Sequence, residues 1–242
     1  MREGKTRRRA VIRTVVVGGV LITAAAAITL YTPWLGVFGL RQIAVSGNHR
    51  VSAEAIGRAA GLQRGQPLLT ISRSAVSHRV GKLPWIKHVS VERRFPDGLR
   101  LRVVERSPIA RINLSDEGCL LIGEGGVIVD DVCTSADSTV ELVGAELVGE
   151  EAGGRLADER VTQLIEALRV LSIPELSIRQ VDVIDLSSVV LSDASGLRVV
   201  LGAIESHVQR VEALVALSRS IDLTMYSSID LRLEGEATLV TW

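Results

Sequence analysis

Hydrophobic and polar positions follow three different rhythms along this chain. From Thr14 through Leu40 no residue is charged, an uninterrupted run of 27 positions. A helix rising about 1.5 Å per residue needs roughly 20 apolar residues to cross a hydrocarbon core of about 30 Å, so the run predicts a transmembrane helix over residues 14–33. Inside such a helix every backbone hydrogen bond is made locally, as lipid requires. Pro33 ends the span, and Tyr31 and Trp34 stand where interfacial aromatics belong. A cleaved signal peptide competes with this reading, because Ala24 to Ala27 offers small residues for cleavage, and Arg8-Arg9 also matches a twin-arginine address. The apolar run continues past the alanines through Ile28 and Leu30, which favours a retained anchor.

The second rhythm, from Leu40 to Arg106, predicts strand, helix, helix, strand, strand. Ile43 and Val45 alternate with polar positions before a Gly47-Asn48 turn. Ser52 caps a short helix with Glu54 in its first turn, Ile56, Ala59 and Ala60 on one face, and Gly61 as terminator. A second helix follows Ser72 with Val76, Val80 and Leu83 at helical spacing and stops before Pro84. Val89, Val91, Arg93 and Phe95 share one face of the next strand. Pro96-Asp97-Gly98 turns the chain into a partner strand carrying Leu99, Leu101 and Val103. Two helices covering one face of this sheet would bury the pattern.

Beyond Pro108 the rhythm is of many short strands with two helices. Ile109 to Leu114 reads as a strand, and Leu120 to Val132 as a hairpin around Gly123-Glu124-Gly125-Gly126. Val161, Leu164, Ile165, Leu168 and Leu171 mark one amphipathic helix; Val208, Val211, Leu214, Val215 and Ser218 mark the other. Strands are expected at Ile178 to Asp185, Val189 to Leu191 and Leu197 to Leu201. At the end, Ile229, Leu231 and Leu233 alternate with Asp230, Arg232 and Glu234, and a last apolar strand runs from Ala237 to Trp242. The fold class is therefore α+β: a transmembrane helix, a βααββ domain and a β-rich domain with two helices.

Charge sharpens the partition. Residues 1–13 hold six basic groups against Glu3, which orients the span with its N-terminus in the cytoplasm and everything after Trp34 exported. That cluster is more simply an orientation signal than a nucleic-acid patch. Residues 41–106 carry 13 Lys/Arg against 4 Asp/Glu, and residues 107–242 carry 9 against 23, so two units of opposite sign are expected. The basic unit, next to the membrane, is held near anionic headgroups or an acidic partner, or else has an ordinary solvated surface.

Chemistry is sparse. His49, His78, His88 and His207 are scattered, and none has a metal-ligand partner at helical spacing, so surface or structural roles are expected. The glycine cluster at 123–126 lacks the Lys-Ser/Thr of a phosphate loop and reads as a turn. No nucleophile elbow or Ser-x-x-Lys pair occurs, and Asp130-Asp131 and Glu150-Glu151 read as solvated turns. Neither an enzyme nor a cofactor is expected. Cys119 and Cys133 flank the hairpin outside the membrane, where they are either disulfide-bonded across it or two buried small hydrophobes.

Five short motifs occur in order: Val45-Ser46-Gly47-Asn48, Gly65-Gln66-Pro67-Leu68, Leu83-Pro84-Trp85-Ile86, Val91-Glu92-Arg93 with Phe95-Pro96, and Val104-Glu105-Arg106-Ser107-Pro108. With the basic tail and single span before them, they closely resemble the POTRA domain of the bacterial cell-division family FtsQ (DivIB in Gram-positives). Gly196-Leu197 to Leu201-Gly202, the Arg210 helix and Ile229-Asp230-Leu231-Arg232 more loosely resemble the family's β domain. Gly123 stands where that family usually has Asp, and Leu233 where an aromatic is common. The resemblance implies a cytoplasmic tail (1–13), a span (14–33), a POTRA domain (38–107) and a β domain (108–242). It implies a non-enzymatic divisome scaffold at the septum, linking early division proteins to septal peptidoglycan synthesis through FtsB/DivIC and FtsL and the FtsW–FtsI synthase. An envelope-anchored POTRA-containing accessory or sensor not specific to division is the alternative. A terminal strand can take up a partner strand, so Asp230, Leu231, Arg232, Leu233, Leu239 and Trp242 are the expected partner-binding residues, with Leu233, Leu239 and Trp242 as apolar anchors; the opposing reading has them closing the core.

A retained anchor predicts that the full-length chain stays in the membrane pellet after alkaline carbonate extraction. A freely soluble product whose N-terminus begins after the alanine stretch would contradict it.

Overall fold

The computed structural model describes residues 19–24, 26, 38–114, 118–133, 139–170, 176–233 and 235–242. Residues 19–24 and 26 are helical; the rest of the expected span and the whole basic tail lie outside the described residues. Among the described residues no helix is long and apolar enough to cross a membrane. The chain divides into two units: Val89–Val103 group with the chain up to Val80, and Gly81–His88 group with Val104–Trp242. This differs from a break at residue 107. The Arg106 amide donates to the Trp85 carbonyl (2.7 Å) and its guanidinium to the Pro84 carbonyl (3.1 Å), tying the 81–88 segment to the start of the second unit.

In the first unit, β1 (Gln42–Ser46), α1 (Ala53–Ala60), α2 (Arg73–Val80), β2 (Ile86–Arg94) and β3 (Gly98–Glu105) make a three-stranded sheet of order β1-β3-β2. β1 runs parallel to β3, a pairing that needs a long crossover, which α1, α2 and β2 supply. Ser52 caps α1 by accepting from the Ala55 amide, and Gly61 ends it at φ 61° in the left-handed region. Ile56, Ala60, Val76 and Val80 from the helices are buried, as are Leu99, Leu101 and Val103 from β3. Two arginines bind this unit together by satisfying orphan carbonyls. Arg79 donates twice to the Ala60 carbonyl (2.8 and 2.6 Å), and Arg93 donates to the carbonyls of Leu68 (3.1 Å) and Ile71 (2.7 Å). Two sequence expectations shift: α2 stops at Val80, before Leu83, because Gly81 follows, and β2 stops at Arg94. Phe95 therefore leaves the buried face and is 61% exposed.

Among the described residues the second unit is a mixed sheet of eleven strands in the order β14-β13-β12-β11-β10-β7-β4-β5-β6-β9-β8. Its strands are β4 (Pro108–Asn113), β5 (Cys119–Gly123), β6 (Val127–Asp130), β7 (Val140–Val143), β8 (Leu147–Val148), β9 (Arg155–Leu156), β10 (Ile178–Asp182), β11 (Val189–Asp193), β12 (Arg198–Gly202), β13 (Tyr226–Asp230) and β14 (Thr238–Thr241). The helices α3 (Glu159–Val170) and α4 (His207–Ser218) pack on each other, α3 also on β4 and α4 on β12. α4 is the crossover that lets β12 and β13 pair in parallel. The buried cluster joins Leu164 and Ile165 of α3 and Val211 and Leu214 of α4 to Ile122, Leu142, Val181, Val199 and Ile229 of the sheet. On α4 it is His207 that is buried, while Val208 is 49% exposed. Leu171, expected on α3, lies outside the described residues. β10 ends at Asp182, short of Asp185, because the Asp182 carboxylate accepts the Ile184 amide (3.0 Å) and turns the chain.

The β5–β6 turn has a physical reason for its glycines. Gly125 and Gly126 sit at φ 77° and 68°, and a Cβ on Gly123 would come within 2.7 Å of Val129. Cys119 and Cys133 are joined as a disulfide beside this hairpin, their Cα atoms 5.8 Å apart and 14 residues apart in sequence.

Replacing fully buried Leu101 with alanine leaves a cavity and is expected to cost about 2–5 kcal/mol. Leu69→Ala, at a residue 64% exposed, is expected to change stability by less than about 0.5 kcal/mol. Chemical denaturation in detergent checks both. Closing a loop of this length stabilises by about 3 kcal/mol in the chain-entropy account. Non-reducing mass spectrometry of exported protein should accordingly find the Cys119–Cys133 link, and two free thiols would contradict it.

Candidate partner-binding edge

An open sheet leaves two edge strands whose outer backbone N–H and C=O groups face no neighbour, and proteins usually guard such edges with charges, proline or shortness. In the second unit those edges are β8 and β14. β8 is two residues long and guarded by that shortness. β14 has four residues, Thr238–Thr241, and no charged residue or proline from Ala237 to Trp242. The first unit's edges differ again: β1 is preceded by Arg41, and β2 carries Lys87, Arg93 and Arg94.

β14 pairs antiparallel with β13, with Ile229 opposite Leu239 and Asp230 opposite Thr238, and an irregularity between Tyr226 and Ser228. At that irregularity the Ser227 hydroxyl donates to the carbonyls of Val240 (3.1 Å) and Thr241 (3.0 Å). Leu239 is half-buried against the core cluster, while Val240 is 52% exposed. Trp242 is 69% exposed; its indole N–H donates to the Thr224 carbonyl (3.2 Å), and its ring lies beside Gly196.

The chain reaches this edge through a tightly held corner. The Asp230 carboxylate accepts the Arg232 amide (3.0 Å) and two-pronged donation from the Arg232 guanidinium (2.6–3.0 Å). The side-chain bonds from Arg232 hold the Asp230 carboxyl below its usual range, and the same bonds raise Arg232. Arg210 of α4 then donates to the carbonyls of Leu233 and Arg232 (2.8 Å each). Between α4 and this segment lies a shallow groove of about 320 Å³, with Ala213, Ala216, Leu217, Leu231, Leu233 and Ala237 among its lining.

The structure separates the expected binding residues into two groups. Leu231 is 4% exposed, with its amide donating to the Val200 carbonyl (2.9 Å), so it is a core residue and does not offer its side chain to a partner. It lies beyond β13, because the Asp230 corner ends the strand before the expected Leu231–Leu233 alternation begins. Asp230 and Arg232 brace each other, and Leu239 faces inward. Leu233, 61% exposed, and Trp242 are accessible. Sequence reasoning passed over Val240 and Met225, 52% and 61% exposed near the chain's last two strands, and the bracing role of Arg210. Their signal was slight: an apolar residue next to Leu239 reads as core until register assigns it outward.

Sites of other kinds are occupied by structure. The turn amide of Gly125 donates to the Glu166 carboxylate (2.9 Å), so an anion of the protein itself fills the glycine turn. Glu124 accepts from Lys87 (2.7 Å), which with Arg169 nearby holds its carboxyl below the usual range, and burial lowers the Arg106 guanidinium. The buried His207 ring donates from Nδ1 to the Ile204 carbonyl (2.6 Å), a structural role. Among the described residues no three His, Cys, Asp or Glu side chains gather as metal ligands.

Comparison with known proteins fits this architecture. Residues 38–106 match the family model described as "POTRA domain, FtsQ-type". The chain is 30% identical to the cell division protein FtsQ of Myxococcus fulvus over 210 residues, covering 84% of this chain and 72% of that protein. It is 28% identical to FtsQ of Streptomyces coelicolor over 86% of this chain and 81% of that one. The match to FtsQ of Corynebacterium glutamicum, at 26% identity, takes in 54% of this chain and 58% of the relative. A POTRA match in the first unit and relatedness that runs on through most of the second place the chain in the FtsQ family of cell division proteins.

Proposed function

We propose that the chain is a non-catalytic scaffold of the division machinery, anchored by one N-terminal span with its POTRA and β domains outside the cytoplasm. It gathers partners at the septum and links early division proteins to septal peptidoglycan synthesis. Those partners are an FtsB/DivIC-type protein and FtsL, and through them the FtsW–FtsI synthase. The uncharged run from Thr14 to Leu40 behind a basic tail supports the anchor.

The observation that carries the binding role is the unguarded outer edge of β14. An extended segment from a partner adds there as a further strand, and main-chain hydrogen bonds supply affinity. Leu233, Val240 and Trp242, all more than half exposed, supply apolar contacts around that strand. The Asp230–Arg232 corner and Arg210 hold the segment before β14 in place, so little ordering cost falls on binding.

Removing Thr241-Trp242, or changing Val240 to aspartate, is expected to weaken binding of an FtsB-type partner by on the order of 2 kcal/mol, roughly thirtyfold. Unchanged affinity for both variants would remove the contact role. In cells, a fluorescent fusion should gather at midcell and depletion should give elongated undivided cells. Uniform envelope fluorescence with normal division would favour an envelope role outside division.

A further inference from the structure

Three apolar side chains, Leu69 and Phe95 exposed and Phe38 half-buried, belong to one region of the first unit. The rings of Phe38 and Phe95 meet edge to face, with centroids 6.4 Å apart and planes at 80°. The Phe38 carbonyl accepts the Leu68 amide (2.8 Å) and Gly39 bridges to Pro67, while the Leu69 carbonyl accepts from the guanidinium of Arg93 (3.4 Å), two residues before Phe95. Leu69 is 64% exposed and Phe95 61%. Soluble surfaces scatter exposed apolar residues singly, so Leu69 and Phe95 gathered about the Phe38 segment make a candidate contact surface.

The charges around this tip are mostly positive. Arg41 is linked through its amide to the Asp97 carbonyl (2.8 Å), Arg64 precedes Gly65, whose amide donates to the Leu40 carbonyl (2.8 Å), and Arg94 adjoins Phe95. All three arginines are exposed. Asp97 is the one carboxylate in the segments 38–41, 64–69 and 93–97. Aromatic and aliphatic side chains ringed by arginine suit the headgroup boundary of an anionic bilayer.

Chain length selects the occupant. Phe38 lies five residues beyond Pro33, the end of the expected span. Fully extended backbone covers at most about 3.6 Å per residue, so Phe38 stays within about 18 Å of the end of the span. A bilayer surface is therefore always within reach of this tip. Resting on the anchor proposed above, we propose that Phe38, Leu69 and Phe95, with Arg41, Arg64 and Arg94, form a foot that docks the POTRA domain onto the anionic phospholipid surface. Docking would restrict the orientation of the exported domains relative to the membrane.

Phe38 and Phe95 are the chain's two phenylalanines, so uniform 4-fluorophenylalanine labelling puts a ¹⁹F probe on each ring of the foot and nowhere else. The full chain is placed in nanodiscs of phosphatidylglycerol and phosphatidylcholine that carry a headgroup spin label. Both resonances should broaden with the labelled lipid and be shielded from a water-soluble relaxation agent. Each arginine near an anionic surface is worth about a fivefold shift in the docked-to-undocked ratio. Arg94→Gln, or pure phosphatidylcholine, should reduce the broadening accordingly, and Leu69→Asp should release the foot. If the chain enters nanodiscs yet both rings respond only to the aqueous agent, the foot is overturned and the anchor stands. Broadening indifferent to lipid charge overturns the role of the arginines. Failure to enter nanodiscs overturns the anchor and the foot together.

Discussion

An eleven-stranded sheet that does not close on itself must end somewhere, and at each end one strand's backbone is left with half its hydrogen bonds to water. One end here is blunted by reduction to two residues, Leu147–Val148. The other is β14, which carries none of the charges or prolines that normally discourage pairing. The rest of the second unit, from the α4 crossover to the Asp230 corner, acts to present that strand in a fixed position.

How the position is fixed comes down to ordinary backbone chemistry. α4 sits between β12 and β13 because parallel pairing requires a crossover, and its Arg210 therefore falls where the chain leaves β13. Asp230 ends β13 by capturing the Arg232 amide, and Arg232 covers Gly202, whose φ of 85° few other residues adopt. The groove between α4 and residues 231–237 is a by-product of this corner. Side chains that look like binding residues in the sequence are thus partly the brace and partly exposed surface.

Much of the fold was legible because periodicity and end signals agreed. Ser52, Gly61 and the Ile56–Ala60 face define α1 as the sequence implies, and alternation at Leu99, Leu101 and Val103 places β3 with its buried face. What could not be read was register and tertiary bonding. Leu231 and Leu233 continue the alternation of Ile229 on paper, but a local aspartate bond breaks the strand between them, burying one and exposing the other. Arg79 and Arg93 look like surface charge in the sequence; their carbonyl partners lie 19 to 25 residues away, a separation no local pattern encodes. That Gly81–His88 is bonded to Arg106 was likewise set by packing rather than by any local pattern.

Backbone pairing at β14 makes a sharper statement than any affinity change, since side-chain contact alone would leave its amides as they were. Hydrogen exchange of residues 238–241, followed with and without an FtsB-type partner, reads that pairing directly. Strand addition predicts marked slowing at the β14 amides that point away from β13. A bound partner that leaves those amides exchanging as fast as in the free protein, while protecting another surface, would contradict the account.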